Sequence, residues 1–137
     1  MKPLTLEWVE KAEGDFAILL SLERSRNPRI FDGVCFHAQQ CVEKYLKARL
    51  SEAGQPVPPI HQLPILLDRV LPWEPLWEAF RAEMILLGNY AVSFRYPGES
   101  ANRAEARSAR ESCRTIRQAA REALGLSARS NGKKGHL

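Results

Sequence analysis

The chain has little cysteine, and none of it is arranged to staple a fold or hold a metal. Its three cysteines, Cys35, Cys41 and Cys113, form no Cys-x-x-Cys pair. Cys35 and Cys41 lie six apart, so on a helix they point about 240° away from each other. An odd, dispersed set argues against a disulfide framework and a zinc site, and it indicates reduced thiols in a cytoplasmic protein. The three histidines, His37, His61 and His136, are equally scattered. There is no His-Glu-x-x-His, no Walker loop and no Gly-x-Gly-x-x-Gly, so no metal site and no cofactor is expected. No apolar run approaches the roughly 18–20 residues that span a bilayer, and residues 1–8 lack the apolar segment of a signal peptide. Internal repeats and strand-like alternation are also missing.

What remains is one domain's worth of chain: 137 residues, 45% of them hydrophobic, which speaks against wholesale disorder. The net charge of +4 is uneven. Residues 102–137 hold nine Lys/Arg against three Asp/Glu, while the first 101 residues hold eleven against thirteen. The basic character therefore belongs to the last quarter of the chain, which points to a basic surface facing an acidic partner.

A 3.6-residue period dominates and predicts an all-α fold. The first helix is expected over Leu6–Ser25, with Thr5 as N-cap and Asn27-Pro28 as stop. The second is expected over Ile30–Ala53, closed by Gly54, with an apolar face wide enough for a central helix. A Pro-rich connector leads to a short helix over Gln62–Val70. A fourth helix is expected over Leu76–Leu87, with Gly88-Asn89 as its C-cap and a loop over Tyr90–Glu99. The last helix starts near Asn102, where Asn102 and Glu105 suggest a capping box, and runs to Leu124 before Gly125. The expected architecture is an up-and-down antiparallel bundle of four to five helices over residues 1–125, followed by a disordered basic tail over 126–137.

Three segments carry a family resemblance. Phe36-His37-Ala38-Gln39-Gln40 runs on through Glu43-Lys44 to Leu46-Lys47-Ala48; His61-Gln62-Leu63 follows a Gly/Pro linker; Tyr90 and Arg95-Tyr96-Pro97 come after the fourth helix. With Ala12 and Asp15, and in this order and spacing, they resemble a HEPN domain (higher eukaryote and prokaryote nucleotide-binding) over about residues 6–124. The resemblance implies a helical bundle that dimerises. It also implies a minimal nucleotidyltransferase as partner, often in a toxin–antitoxin-like pair. Other branches of the family are metal-independent ribonucleases with an arginine followed four to six residues later by a histidine. Here the positions after Arg95 hold Ser100, Ala101 and Asn102, none of which is a general acid or base near neutral pH. No catalytic residue is therefore assigned.

The candidate nucleotide- or RNA-binding residues are His37, Gln40, Lys44, His61, Arg95 and Tyr96. His37, Gln40 and Lys44 share one helix face and could present a donor strip to a phosphate or base, or else bond neighbouring helices. His61 could face the same cleft or serve packing. Arg95 could take a phosphate beside a stacking Tyr96, or act as a structural staple to Asp15. On the last helix Arg103, Arg107, Arg110, Arg114, Arg117 and Arg121 are spaced four or three apart, in one stripe within about 80° of arc. Either an acidic partner covers that stripe or it is a solvated face. Phe36, aromatic within a polar sector, is the candidate for a homodimer interface. The leading expectation is a dimeric nucleotide- or RNA-binding module. The alternatives are a divergent metal-independent ribonuclease and a purely structural homo-oligomer.

Overall fold

A computed structural model describes residues 1–127; the remainder of the expected basic tail, residues 128–137, lies outside the described residues. The described residues are all-α, with five α-helices: α1 (Pro3–Leu22), α2 (Phe31–Glu52), α3 (Leu63–Val70), α4 (Arg81–Ser93) and α5 (Arg103–Ala123). Short 3₁₀ turns at Pro28–Ile30 and Pro75–Phe80 lead into α2 and α4. No described helix is long and apolar enough to cross a membrane.

Helix α2 is the axis, and α1, α3, α4 and α5 all pack on it. Its Ala38, Cys41, Val42, Tyr45, Leu46 and Ala48 are completely buried. Contacts fix the helix directions. Thr5 bonds Ser51, Glu13 bonds Tyr45 and Asp15 bonds His37, so α1 and α2 are antiparallel. Asp32 bonds the backbone at Ala101, and Tyr45 bonds Arg121, so α5 runs parallel to α2. The C-terminal part of α4 meets the first turns of α2, while Ile85 and Gly88 lie toward Gln39 and Gln40. Helices α1, α2, α4 and α5 thus alternate in direction, an up-and-down bundle.

The helix ends show which local signals governed. Helix α1 begins at Pro3, whose fixed φ and missing N–H suit a first helical position. The expected N-cap, Thr5, instead lies two residues inside the helix, and its hydroxyl lies 3.1 Å from that of Ser51. Both α2 and α5 end in Schellman motifs. Gly54 N–H donates to Ser51 and Gln55 N–H to Leu50; Gly125 N–H donates to Glu122 and Leu126 N–H to Arg121. Gly54 and Gly125 have φ of 74° and 73°, a left-handed conformation that glycine takes without strain. Leu126, the first residue of the expected tail, packs against the core. The expected capping box is present: Glu105 N–H donates to Asn102 Oδ1 at 2.7 Å, and Asn102 N–H to Glu105 Oε1 at 2.9 Å.

The fourth helix corrects the sequence expectation. Pro75–Phe80 is a 3₁₀ turn, and α4 continues through Gly88-Asn89 to Ser93. Met84 and Leu87 are buried, Tyr90 and Phe94 pack on the core behind them, and the two rings stack at 5.3 Å. Three- and four-residue spacing carries this stripe past the glycine, and its packing outweighs the roughly 1 kcal/mol that an internal Gly costs.

Candidate nucleotide-binding groove and its charged frame

Helix α2 presents two carboxylate-centred networks side by side. In the first, Asp15 of α1 receives two partners seven residues apart on α2. His37 Nδ1 lies 2.7 Å from Oδ1, and Lys44 Nζ donates to Oδ2 at 2.5 Å. The second centres on Glu43, which is almost fully buried. Gln39 and Gln40 amides donate to its Oε1 at 3.2 and 3.4 Å, and Lys47 Nζ donates to Oε2 at 3.1 Å. His61 Nδ1 lies 2.9 Å from the same Oε2. A carboxylate only accepts, so Nδ1 is the donor in this contact. Gln39 also donates to the His61 carbonyl at 3.2 Å, fixing the loop ahead of α3.

Beside the Glu43 network lies a groove of about 680 Å³ between α2, the start of α3 and α4. Phe36, Gln40, His61 and Arg95 line it together, with Asn89 and the apolar Ile65, Ile85 and Val92. Phe36 is 38% exposed and makes an edge contact with the His37 ring at 5.2 Å. The groove combines an aromatic face, amides able to donate and accept, an imidazole and a guanidinium. Those are the groups that stack on a base, read its edge and bind a phosphate.

The structure therefore divides the expected donor strip. Gln40, His61 and Arg95 share the groove. His37 and Lys44 grip Asp15 instead, so Asp15 is stapled by α2 rather than by Arg95. Tyr96 stands 61% exposed, outside the groove lining. Gln39 and Glu43 organise the groove wall. Their i,i+4 spacing was the available sign of a side-chain pair, but nothing local shows that His61 completes it.

The arginine stripe divides too. Arg117 and Arg121 are buried and face inward. Arg117 makes a two-pronged pair with Glu13, Nε to Oε2 at 2.7 Å and a second nitrogen to Oε1 at 2.8 Å, and its guanidinium lies 4.1 Å from the centre of the Phe16 ring. Arg121 donates to the Tyr45 hydroxyl at 3.0 Å and to the Ser127 carbonyl. Burial alone would raise the Glu13 carboxyl, but the bonds from Arg117 and Tyr45 and both arginine charges outweigh it and hold it below its usual range. Arg110 and Arg114 reach Glu23 at 3.1 and 2.8 Å, and Arg103 lies over Phe31 at 5.5 Å. Among the described residues no group of three His, Cys, Asp or Glu side chains is placed to hold a metal ion.

The HEPN domain family matches residues 5–123, and the chain belongs to that family. Membership ties it to nucleotide- or RNA-related function. No curated protein and no solved structure matches significantly.

Proposed function

We propose that the protein is a dimeric HEPN module that binds a nucleotide in the groove between α2, α3 and α4. The observation that carries this reading is the convergence of Phe36, Gln40, His61 and Arg95 on one cavity of about 680 Å³, a size suited to a small-molecule ligand. Phe36 offers the base a face, Gln40 and Asn89 offer it edge contacts, and Arg95 takes the phosphates. Calorimetry with ATP, GTP and UTP tests the reading on the wild type and on Arg95→Ala. Saturable heat in the wild type and affinity at least tenfold weaker in the variant are expected. No heat with any nucleotide overturns it.

Dimerisation is supported by the apolar rim of the groove. Phe36, Ile65, Ile85 and Val92 are all more than a third exposed and lie together, where a second copy would close over the groove and the nucleotide within it. Sedimentation of Phe36→Glu tests this, and an unchanged dimer removes Phe36 from the interface. A minimal nucleotidyltransferase as partner, in a toxin–antitoxin-like pair, is supported by the order and spacing of the His37–Lys44, His61–Leu63 and Arg95–Pro97 segments. Co-purification from the source cell tests it. A cytoplasmic setting accords with three reduced, buried thiols.

One observation favours a second reading, metal-independent RNA cleavage. His61 is 76% exposed at its side chain, yet its Nδ1 is held by buried Glu43, and it shares the groove with Arg95. An imidazole held in one tautomer beside a phosphate-binding arginine can act as a base. Equal residual cleavage by wild type, His61→Ala and Arg95→Ala would exclude it.

A further inference from the structure

The wall that α2 turns to the groove is polar, and its hydrogen bonds fix which end of each amide faces where. Glu43 Oε1, in a carboxylate, and the His61 carbonyl only accept. Gln39 reaches both at 3.2 Å, so the atom between them is its Nε2, and both hydrogens of that nitrogen are used. Gln39 Oε1 is left as an acceptor. Gln40 meets that oxygen at 2.7 Å and Glu43 Oε1 at 3.4 Å, so Gln40 also turns its nitrogen to the network and uses both hydrogens there. Two oxygens that cannot donate thus orient two amides in series.

One atom is left over. Gln40 Oε1 receives no hydrogen bond from the described residues, and Gln40 is half-buried in the groove lining. Turning this amide over would set its oxygen against Gln39 Oε1 and the Glu43 carboxylate, acceptor against acceptor. Gln40 is therefore a fixed acceptor. The donors next to it, Lys47 Nζ and His61 Nδ1, are committed to Glu43 Oε2 at 3.1 and 2.9 Å. Asn89 and Gln62 also line the groove, but both are exposed and can present either end of the amide.

We infer that the groove selects nucleotides whose base carries an exocyclic amino group, adenine or cytosine, with that amino group donating to Gln40 Oε1. The inference rests on the groove reading and adds to it the class of base. Where adenine and cytosine carry the amino group, hypoxanthine and uracil carry a carbonyl oxygen. That oxygen would face Gln40 Oε1, so the bond is lost and two acceptors are left unmet. Hypoxanthine and uracil keep a ring N–H, but a carbonyl flanks it. Sliding the N–H onto Gln40 sets that carbonyl against the same acceptor wall. Gln39 acts through Gln40, as a positioning residue.

Calorimetry with two matched pairs, ATP against ITP and CTP against UTP, tests the selection. Each pair exchanges the amino group for a carbonyl and leaves the sugar and phosphates alike. Wild type should bind the amino member roughly tenfold tighter in both pairs, the order expected when one hydrogen bond gives way to an unmet acceptor. Gln40→Met, close in shape, should lose the preference by weakening ATP and CTP, with ITP and UTP unchanged. Gln39→Met frees Gln40 to turn and should lose the preference by strengthening ITP and UTP. Gln39 is buried and Gln40 only half so, and Gln40→Met decides the matter even where Gln39→Met fails to fold. Equal binding within each pair by the wild type, or an amino preference that persists in Gln40→Met, overturns the inference and leaves the groove reading standing. A folded Gln39→Met with the wild-type preference removes Gln39 as the positioning residue. No binding of any of the four nucleotides overturns the groove reading itself, and the selection with it.

Discussion

Glu13 and Arg117 form a two-pronged ion pair inside the bundle, at 2.7 and 2.8 Å, across the α1–α5 interface. Tyr45 of α2 donates to the same carboxylate at 2.5 Å, so the pair ties three helices together. Removing either charged partner leaves the other buried and uncompensated, which costs about 3–5 kcal/mol. Glu13→Gln and Arg117→Ala should each lower stability by that order in urea unfolding, with no change in helix content before the transition.

The same pair sets an acid limb. The Glu13 carboxyl is held below its ordinary value of about 4.5. A depressed folded-state pKa contributes stability above the unfolded value and loses it as pH falls through the folded one. Wild-type stability should therefore decline below about pH 4.5, and Glu13→Gln should lack that part of the decline. Identical acid limbs in wild type and variant would contradict the assignment.

Lys44 separates a structural clamp from a ligand-binding role. It is bound to Asp15 at 2.5 Å and does not line the groove. Lys44→Met should cost about 1–3 kcal/mol of stability, the range for removing a hydrogen bond to a charged group. Nucleotide affinity should be unchanged within twofold. A tenfold loss of affinity in a variant that remains folded would return Lys44 to the site.

All three cysteines should be silent in the native protein. Each is buried. Burial, with help from Glu105 and Asp32, pushes the Cys35 thiol up to about 12, and burial pushes Cys41 well above its usual value. Thiolate is the reactive form, so a disulfide reagent should titrate almost no thiol at pH 8 and all three in denaturant.

The helix-ending glycines give a local test of the fold. Gly125→Ala puts a side chain at a φ of 73° and should cost about 1 kcal/mol, read as a lower urea midpoint at unchanged slope. Gly88→Ala has open space and a helical backbone and should stabilise by up to about 1 kcal/mol.

These contrasts show what could be read from the chain alone. The two Schellman glycines and the Asn102 capping box were legible because each is a local backbone event written within five residues. The central role of α2 was legible from the width of its apolar face. Gly88-Asn89 misled because tertiary packing of Tyr90 and Phe94 overrode a local stop. Arg117 and Arg121 belonged to a six-residue stripe with uniform spacing, and nothing nearby marked two of them as inward. Their partners Glu13 and Tyr45 lie 104 and 76 residues away, so only the fold could show it. Gln40, His61 and Arg95 were legible as polar residues at suggestive places, but their meeting in one groove, apart from His37 and Lys44, depends on how α3 and α4 pack on α2.

Nucleotide binding in the groove lined by Phe36, Gln40, His61 and Arg95 can be seen residue by residue in the side-chain NMR shifts that follow addition of ATP. Saturable shifts are expected for the Phe36 ring, the Gln40 and Asn89 amides, the His61 ring and the Val92 methyls, with signals from Glu10 and Thr115 unmoved. Saturable shifts confined to His37, Lys44 or α5, or none at all at millimolar ATP, would contradict it.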